Sequence, residues 1–263
     1  MLTYPNMDPI ALNIGPLAIH WYGILYLISF IAAFWLCERR RLGTVPPWSR
    51  DELIDLFFYA AVGVIFGGTW GYLLFYQPAL LQEEPLRLIQ FWLPGRSFHG
   101  GLLGVMVAIL IYCQLKLRDF WAVSDFLVPV VPLGLAMGRL GNFINAELWG
   151  RTTDVPWGMV FPQAGALARH PSQLYEMGLE GILLFIILQG YARKRQPKGV
   201  LSGLFLMWYG IFRIVAECFR EPDFNQGFIA LEWITKGQIL SLPMIMVGLF
   251  ILFYAKYPRR IGN

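Results

Sequence analysis

The chain has 263 residues, of which 57% are hydrophobic and only 14% charged, where a soluble domain carries about 25% charged residues. That balance excludes a single soluble globule and requires apolar surface that faces lipid. The formal net charge of +4 does not point to nucleic acid, because the basic residues recur between apolar runs instead of forming one patch.

A membrane-crossing helix needs about 20 apolar residues, and seven stretches are candidates: 20–37, 53–76, 99–115, 121–140, 173–191, 200–219 and 238–255. The first Lys or Arg is Arg39, so the start does not resemble a cleavable signal peptide. Span one opens at Tyr22. Span two holds Gly67, Gly68 and Gly71; span three opens at His99 and holds Gly100, Gly101 and Gly104. Such spacings let helix backbones approach closely. Span four carries Pro129 and Pro132, which predict a kink or broken turn. Arg139 and Asn142, three apart on one helical face, close that span. Span six reads LFLMWYGIFRIVAECFRE; Tyr209, Arg213 and Glu217 stand at i, i+4 and i+8 and form one polar stripe. Cys37, Cys113 and Cys218 lie in apolar runs with no close pair, which favours packing over a disulfide or zinc site.

Thirteen of the 21 basic residues follow odd-numbered spans: Arg39, Arg40, Arg41 and Arg50, then Lys116 and Arg118, then Arg193, Lys194, Arg195 and Lys198, then Lys256, Arg259 and Arg260. The positive-inside rule makes those loops cytoplasmic, with the N-terminus outside and the C-terminus inside. The outer segments are 1–19, 77–98, 141–172 and 220–237. The expected fold is an all-α integral membrane protein of seven helices. It forms one domain over 1–263, with extracytoplasmic arm elements and a head near 141–172.

This topology brings polar residues from separate helices to one level in the outer half of the membrane: Tyr22, His99, Arg139, Asn142, Tyr209, Arg213 and Glu217. A charge at mid-helix costs at least about 2.5–3.5 kcal/mol, less near the interface, so such residues usually face a cavity or a partner. Each also admits a structural role. Arg213 and Glu217 suit a salt bridge within one helix, Arg139 snorkelling, His99 a helix-end hydrogen bond, and Tyr22 an interfacial belt. Two arginines with Asn and Tyr nearby suit a phosphate, because guanidinium forks match its oxygens. In a bilayer the abundant phosphate is a lipid headgroup. A His moves protons near neutral pH. No HExxH, GxSxG or Walker loop occurs. These residues alone leave two readings open: an enzyme acting on an anionic lipid, and a transporter or flippase for an anionic lipid or solute. Inverted repeats would favour the second, and none is visible.

IHWYGILYL, HGGLLG after Phe98, SDFLVPVVPLGL, GRLGNFINAELWGR, RHPSQLYE and YGIFRIVAECFREPD occur in this order over nearly the whole chain. Together they resemble the prolipoprotein diacylglyceryl transferases of bacterial inner membranes. The resemblance implies transfer of a diacylglyceryl group from phosphatidylglycerol to the lipobox cysteine thiol of a prolipoprotein, with release of glycerol phosphate. It implies a seven-helix fold with outer arms and a periplasmic head. The implied catalytic positions are His99, Arg139, Tyr22, Glu147 and Arg213; Arg139, Asn142, Gly150, Tyr209, Arg213 and Glu217 are the implied substrate-binding positions. On this reading His99 accepts the thiol proton or orients the group that does, Arg139 holds the lipid phosphate, and Asn142 adds hydrogen bonds to the headgroup. Arg213, oriented by Glu217 and Tyr209, holds phosphate or a substrate carbonyl, and Glu147 orients an arginine. The expected partners are phosphatidylglycerol, the prolipoprotein signal peptide and the bilayer. No cofactor, metal or nucleic acid is implied, and a monomer is favoured. Thr69 and Trp70 stand where the family is expected to carry an Arg and a small aliphatic residue, and Ala146 replaces a frequent Gly.

Overall fold

The computed structural model describes residues 2–44, 46–91, 93, 95–222 and 235–256. Six helical stretches are long and apolar enough to cross a membrane: Trp21–Gly43, Arg50–Tyr76, Phe120–Ile144, Ser172–Ala192, Val200–Glu217 and Gly237–Ala255. The expected third span forms a shorter apolar helix, His99–Leu115. The chain is therefore a multi-pass, mostly helical membrane protein. Large apolar side chains such as Phe58, Phe75, Met246 and Phe250 stand exposed on these helices, as lipid-facing positions require. Arg259, Arg260 and most of the outer segment 220–237 lie outside the described residues.

The chain divides into two compact units, 36–123 and 1–35 with 124–263. In the first, helix α2 (Arg50–Tyr76) starts at a capping box. Ser49 Oγ accepts from the Glu52 backbone N–H at 3.1 Å, and Glu52 Oε2 accepts from the Ser49 N–H at 2.8 Å. After the short helix α3 (Pro78–Glu83), helix α4 (Phe98–Leu115) returns against α2. The two run antiparallel, since Gly63 faces Gly104 and Gly71 faces Gly100. A Cβ on Gly63 would lie 2.6 Å from the Gly104 carbonyl oxygen. The glycine spacing in the sequence thus marks a real backbone contact. Arg118 clamps the Glu52 carboxylate with two hydrogen bonds, of 2.8 and 2.9 Å, and lies over the Trp48 ring. Thr69 is buried, and Trp70 donates its indole N–H to the Leu88 carbonyl.

In the other unit, strand β1 (Leu2–Thr3) pairs with β4 (Met159–Val160), and β2 (Ile10–Ile14) forms a hairpin with β3 (Leu17–His20). These strands have two to five residues, too few for a period-2 pattern to reveal them. Helix α1 (Trp21–Arg40) follows the hairpin and continues into the first unit. The predicted break in span four is present: α5 (Phe120–Leu127) and α6 (Val131–Ile144) flank a 3₁₀ turn at Val128–Val130. Gln189 donates to the Pro129 carbonyl at 2.9 Å, one of the carbonyls near that break. Span five is α7 (Ser172–Glu176), a π-helical turn (Met177–Leu183) and α8 (Leu184–Ala192). Helix α9 (Val200–Glu217) begins at Gly199, which has no capping side chain; Asp125 accepts from the Gly199 and Ser202 N–H groups at 2.7 and 2.8 Å instead. Helix α10 (Lys236–Lys256) packs against α9.

Tyr4, Phe143, Ala146, Met159 and Phe161 form a small core of their own. The Tyr4 hydroxyl reaches the carbonyls of Phe143 and Ile144 at 2.9 and 2.8 Å and closes the C-terminal end of α6. Burial pushes the Tyr4 phenol above its ordinary pKa.

Candidate active site

The close approach of α6 to the π turn builds the centre of the site. Gly181 sits against Ala136, where a Cβ would meet the Ala136 Cα at 2.8 Å. Arg139, one turn beyond Ala136, then reaches the carboxylates of span five. Its Nε lies 2.5 Å from Glu176 Oε2, and its Nη2 lies 3.7 Å from Glu180 Oε2. From α9, Arg213 Nη1 lies 3.1 Å from Glu176 Oε2 and 3.3 Å from Glu180 Oε1. Arg213 Nη2 also pairs with Glu217 on its own helix. Arg220 Nη1 lies 3.6 Å from Glu176 Oε1. Glu217 accepts in addition from the Thr235 hydroxyl at 2.7 Å. Among the described residues, these three arginines and three glutamates form one cluster of paired charges.

The alignment is looser than the distances. Neither Glu176 oxygen nor Glu180 Oε2 receives a well-directed hydrogen bond among the described residues. Glu180 and Glu176 are 0% and 2% exposed, whereas the Arg139 side chain is 20% exposed. Arg139 is therefore the member of the cluster most open to a ligand. A π turn inside an α-helix often marks a functional site, and here it carries Glu180.

Around this cluster the residues expected from sequence separate into groups. Arg139, Tyr209, Arg213 and Glu217 come together; Tyr209 stacks on Phe205 and feels the charges of Glu180, Arg213, Arg139 and Glu176. Tyr22 lies against Gly141 and close enough to Glu147 and Arg139 to feel both charges. Asn142 is buried and donates to Glu147 Oε1 at 2.7 Å, joined by Asn145 at 3.2 Å. Glu147 was expected to orient an arginine; its carboxylate instead holds these two amides. The turn that places it is left-handed at Ala146 and Leu148, with φ of 52° and 58°. It is pinned by Gln173, which donates to the Glu147 carbonyl, and by Ser172, which donates to the Leu148 carbonyl.

Gly150 was expected to bind substrate; its nearest neighbours are two carbonyl oxygens and the His170 Cβ. A Cβ there would lie 2.5 Å from the Phe219 carbonyl oxygen and 2.6 Å from that of His170. It is a close-approach position between two chain segments. Arg151 donates beside it to the Arg220 and Glu217 carbonyls. His99 lies at the start of α4, in the unit that does not hold the arginines.

Glu176, Glu180 and Arg220 were not singled out from sequence. The signal was available. Glu176 ends the RHPSQLYE motif, and Glu180 stands four residues on in an apolar span, the same anomaly that identified Arg213. Among the described residues no cluster of His, Cys, Asp and Glu offers a metal site.

A second feature is an open apolar cavity of about 560 Å³ lined by residues including Trp157, His170, Tyr175, Leu179 and Phe219. Trp157 donates its indole N–H to the Tyr175 oxygen at 2.7 Å, and that hydroxyl lies 3.1 Å from His170 Nδ1. An indole N–H only donates, so the Tyr175 oxygen accepts from Trp157, and the histidine tautomer sets which partner donates between Tyr175 and His170. Burial lowers the His170 pKa, which agrees with a neutral ring.

Membrane-length helices around a buried cluster of arginines and glutamates define an integral membrane protein with a charged centre able to hold an anion. The profile of the family described as prolipoprotein diacylglyceryl transferase matches residues 9–254. The chain belongs to that family. It is 53% identical over 260 residues to the phosphatidylglycerol–prolipoprotein diacylglyceryl transferase of Legionella pneumophila (strain Corby), covering 97% of this chain and 100% of that protein. It is 52% identical over 255 residues to the protein of the same name from Coxiella burnetii (strain RSA 331 / Henzerling II), covering 97% and 98%. It is 53% identical over 254 residues to that from Photobacterium profundum, covering 97% and 95%.

Proposed function

We propose that this chain moves the diacylglyceryl group of phosphatidylglycerol onto the thiol of a prolipoprotein cysteine and releases glycerol phosphate. The observation that carries this is identity above one half to proteins named for that transfer, over 97% of the chain. The arginine cluster supplies the chemistry. The names of those relatives leave no specific observation in favour of a transporter.

The thiol sulfur attacks a glycerol carbon, a sulfur–carbon bond forms, and the carbon–oxygen bond to phosphate breaks. Free cysteine, with a pKa of about 8.5, is only a few per cent thiolate near neutral pH. His99 takes the thiol proton or orients the group that does. Arg139, the more open guanidinium, holds the lipid phosphate and stabilises charge growing on the leaving group. Arg213 stands behind it, oriented by Glu217 and Tyr209. Asn142, aimed by Glu147, offers hydrogen bonds to the headgroup, and Tyr22 closes that side. Gly150 acts through the backbone geometry it permits.

The chain lies in the bacterial cytoplasmic membrane as one polytopic domain with seven crossings, the helix Phe98–Leu115 being the seventh. Its N-terminus is outside, its C-terminus is cytoplasmic, and its active site faces the periplasm. Lipid enters sideways from the outer leaflet, and the protein acts as a monomer.

Mass spectrometry tests the reading. Purified protein in phosphatidylglycerol liposomes should add a diacylglyceryl mass to the cysteine of a lipobox peptide and release glycerol phosphate. Arg139→Ala should abolish this while the protein stays folded. Arg139→Lys should be strongly impaired, because an ammonium cannot form the fork. No mass gain from folded parent protein would refute the transfer, and full activity in Arg139→Ala would refute the phosphate clamp.

A further inference from the structure

The charge balance of the cluster has a consequence for any anion that enters it. Without ligand, Arg139, Arg213 and Arg220 are matched by Glu176, Glu180 and Glu217. A phosphodiester adds one negative charge to a site that is already neutral. If Arg139 and Arg213 turn their forks to that anion, the three glutamates are not affected equally. Glu217 keeps the Thr235 hydroxyl at 2.7 Å. Glu176 keeps Arg220 at 3.6 Å. Glu180 loses both of the cations that pair with it, Arg213 at 3.3 Å and Arg139 at 3.7 Å. It is 0% exposed, and its Oε2 already lacks a hydrogen-bond donor among the described residues. Among the described residues, the elements packed on the π turn bring no other cation to it. Helix α6 presents Arg139, α7 presents Glu176, and α9 presents Tyr209 and Arg213; Tyr191, near the far end of α8, is the ionisable residue of that helix. A bare carboxylate buried beside a second carboxylate and a phosphate is the state such a site avoids, and a carboxylic acid removes the problem at once.

We infer that Glu180 is the exchangeable counter-charge of the site: ionised, it holds Arg139 and Arg213 in place before the lipid arrives, and it takes up one proton from solvent when the phosphate displaces it. The inference rests on the headgroup reading above. Glu180 is a positioning residue, acting on the lipid through the two arginines. Linkage gives the size of the effect. One proton bound with the ligand weakens the apparent Kd about tenfold for each pH unit of rise, over the range in which the free site is ionised and the occupied one is not.

The test uses full-length protein in detergent, titrated with phosphatidylglycerol in the absence of any thiol acceptor. Calorimetry near pH 7 in buffers of different ionisation enthalpy counts protons, and a phosphodiester does not titrate there. The parent protein should take up about one proton per lipid bound. Glu180→Gln keeps the shape and mimics the protonated acid. It should bind lipid with no uptake and with a Kd that no longer rises with pH. Asp55→Asn, which changes a partly exposed carboxylate far from the cluster in sequence and paired only with Lys116 among the described residues, should keep the uptake. Binding by the parent with no proton uptake overturns the inference, as does uptake that persists undiminished in Glu180→Gln. A merely structural Glu180 would lower stability without changing the proton count. The peptide-lipidation assay separates the two levels: if the parent shows neither binding nor transfer, the headgroup reading falls and this inference with it. Transfer with proton-neutral binding refutes the inference alone.

Discussion

Glu176→Ala tests whether the charged cluster is a structural centre of the unit that holds it. The Glu176 carboxylate meets three guanidinium groups, at 2.5, 3.1 and 3.6 Å, and its side chain is 2% exposed. Truncation leaves three arginines facing two glutamates. Removing one partner of a buried ionic group costs roughly 3–5 kcal/mol, because the remaining charge stays desolvated. At about 2–4 °C per kcal/mol for a chain of this size, the melting midpoint in detergent should fall by roughly 6–20 °C. The comparison is Lys116→Ala. Lys116 pairs with Asp55 at 2.6 Å, but both side chains are more than one third exposed. Solvent and salt screen such a pair, so its loss should barely move the midpoint. Thermal unfolding of both variants and the parent, followed by intrinsic tryptophan fluorescence, gives the answer. If Glu176→Ala melts no lower than Lys116→Ala, the cluster does not hold this unit together, and the reasoning from buried ion pairs fails.

Three further outcomes are expected. Gly63→Leu puts a side chain where a Cβ alone would lie 2.6 Å from the Gly104 carbonyl; overpacking costs about 1–3 kcal/mol or more. It should lower the melting midpoint, whereas Gly178→Ala, with nothing within 4 Å, should not. Tyr4→Phe removes the hydroxyl that closes the end of α6 and should lose about 0.5–1.5 kcal/mol of stability in the same assay. His170 has a folded pKa below the ordinary histidine value, so the unfolded chain binds its proton first as pH falls. Its contribution is complete above about pH 6.5 and is lost as pH falls through that value toward the folded one. His170→Gln should flatten that part of the melting curve against pH, and an unchanged slope would show that His170 does not titrate differently on unfolding.

Particular residues show how far the sequence could be read. Arg213 was visible because a guanidinium in an apolar helix demands a partner, but of its partners only Glu217 was. Glu217 lies four residues away on the same helix, whereas Glu176 and Glu180 come from another helix that only packing brings near. Glu147 illustrates the converse. A free carboxylate would repel a bound phosphate, which suggested an arginine partner, yet the left-handed turn at Ala146 and Leu148 directs it to Asn142 and Asn145. That conformation would suit a glycine at position 146, since φ near 52° disfavours any side chain. Gly150 was visible as part of a motif, but its neighbours at 2.5 and 2.6 Å are backbone from distant stretches.

The sequence by itself determined where the apolar helices run, where span four breaks and which glycines let α2 meet α4. Each of these follows from local composition: apolar length, a proline without an N–H, or a missing Cβ. The tertiary structure alone decided which carboxylate neutralises which arginine, because a buried charge selects whichever opposite charge packing delivers, regardless of separation along the chain. It also decided that the two arginines proposed for the substrate are already paired before any lipid arrives. That pairing is what the role proposed for Glu180 rests on.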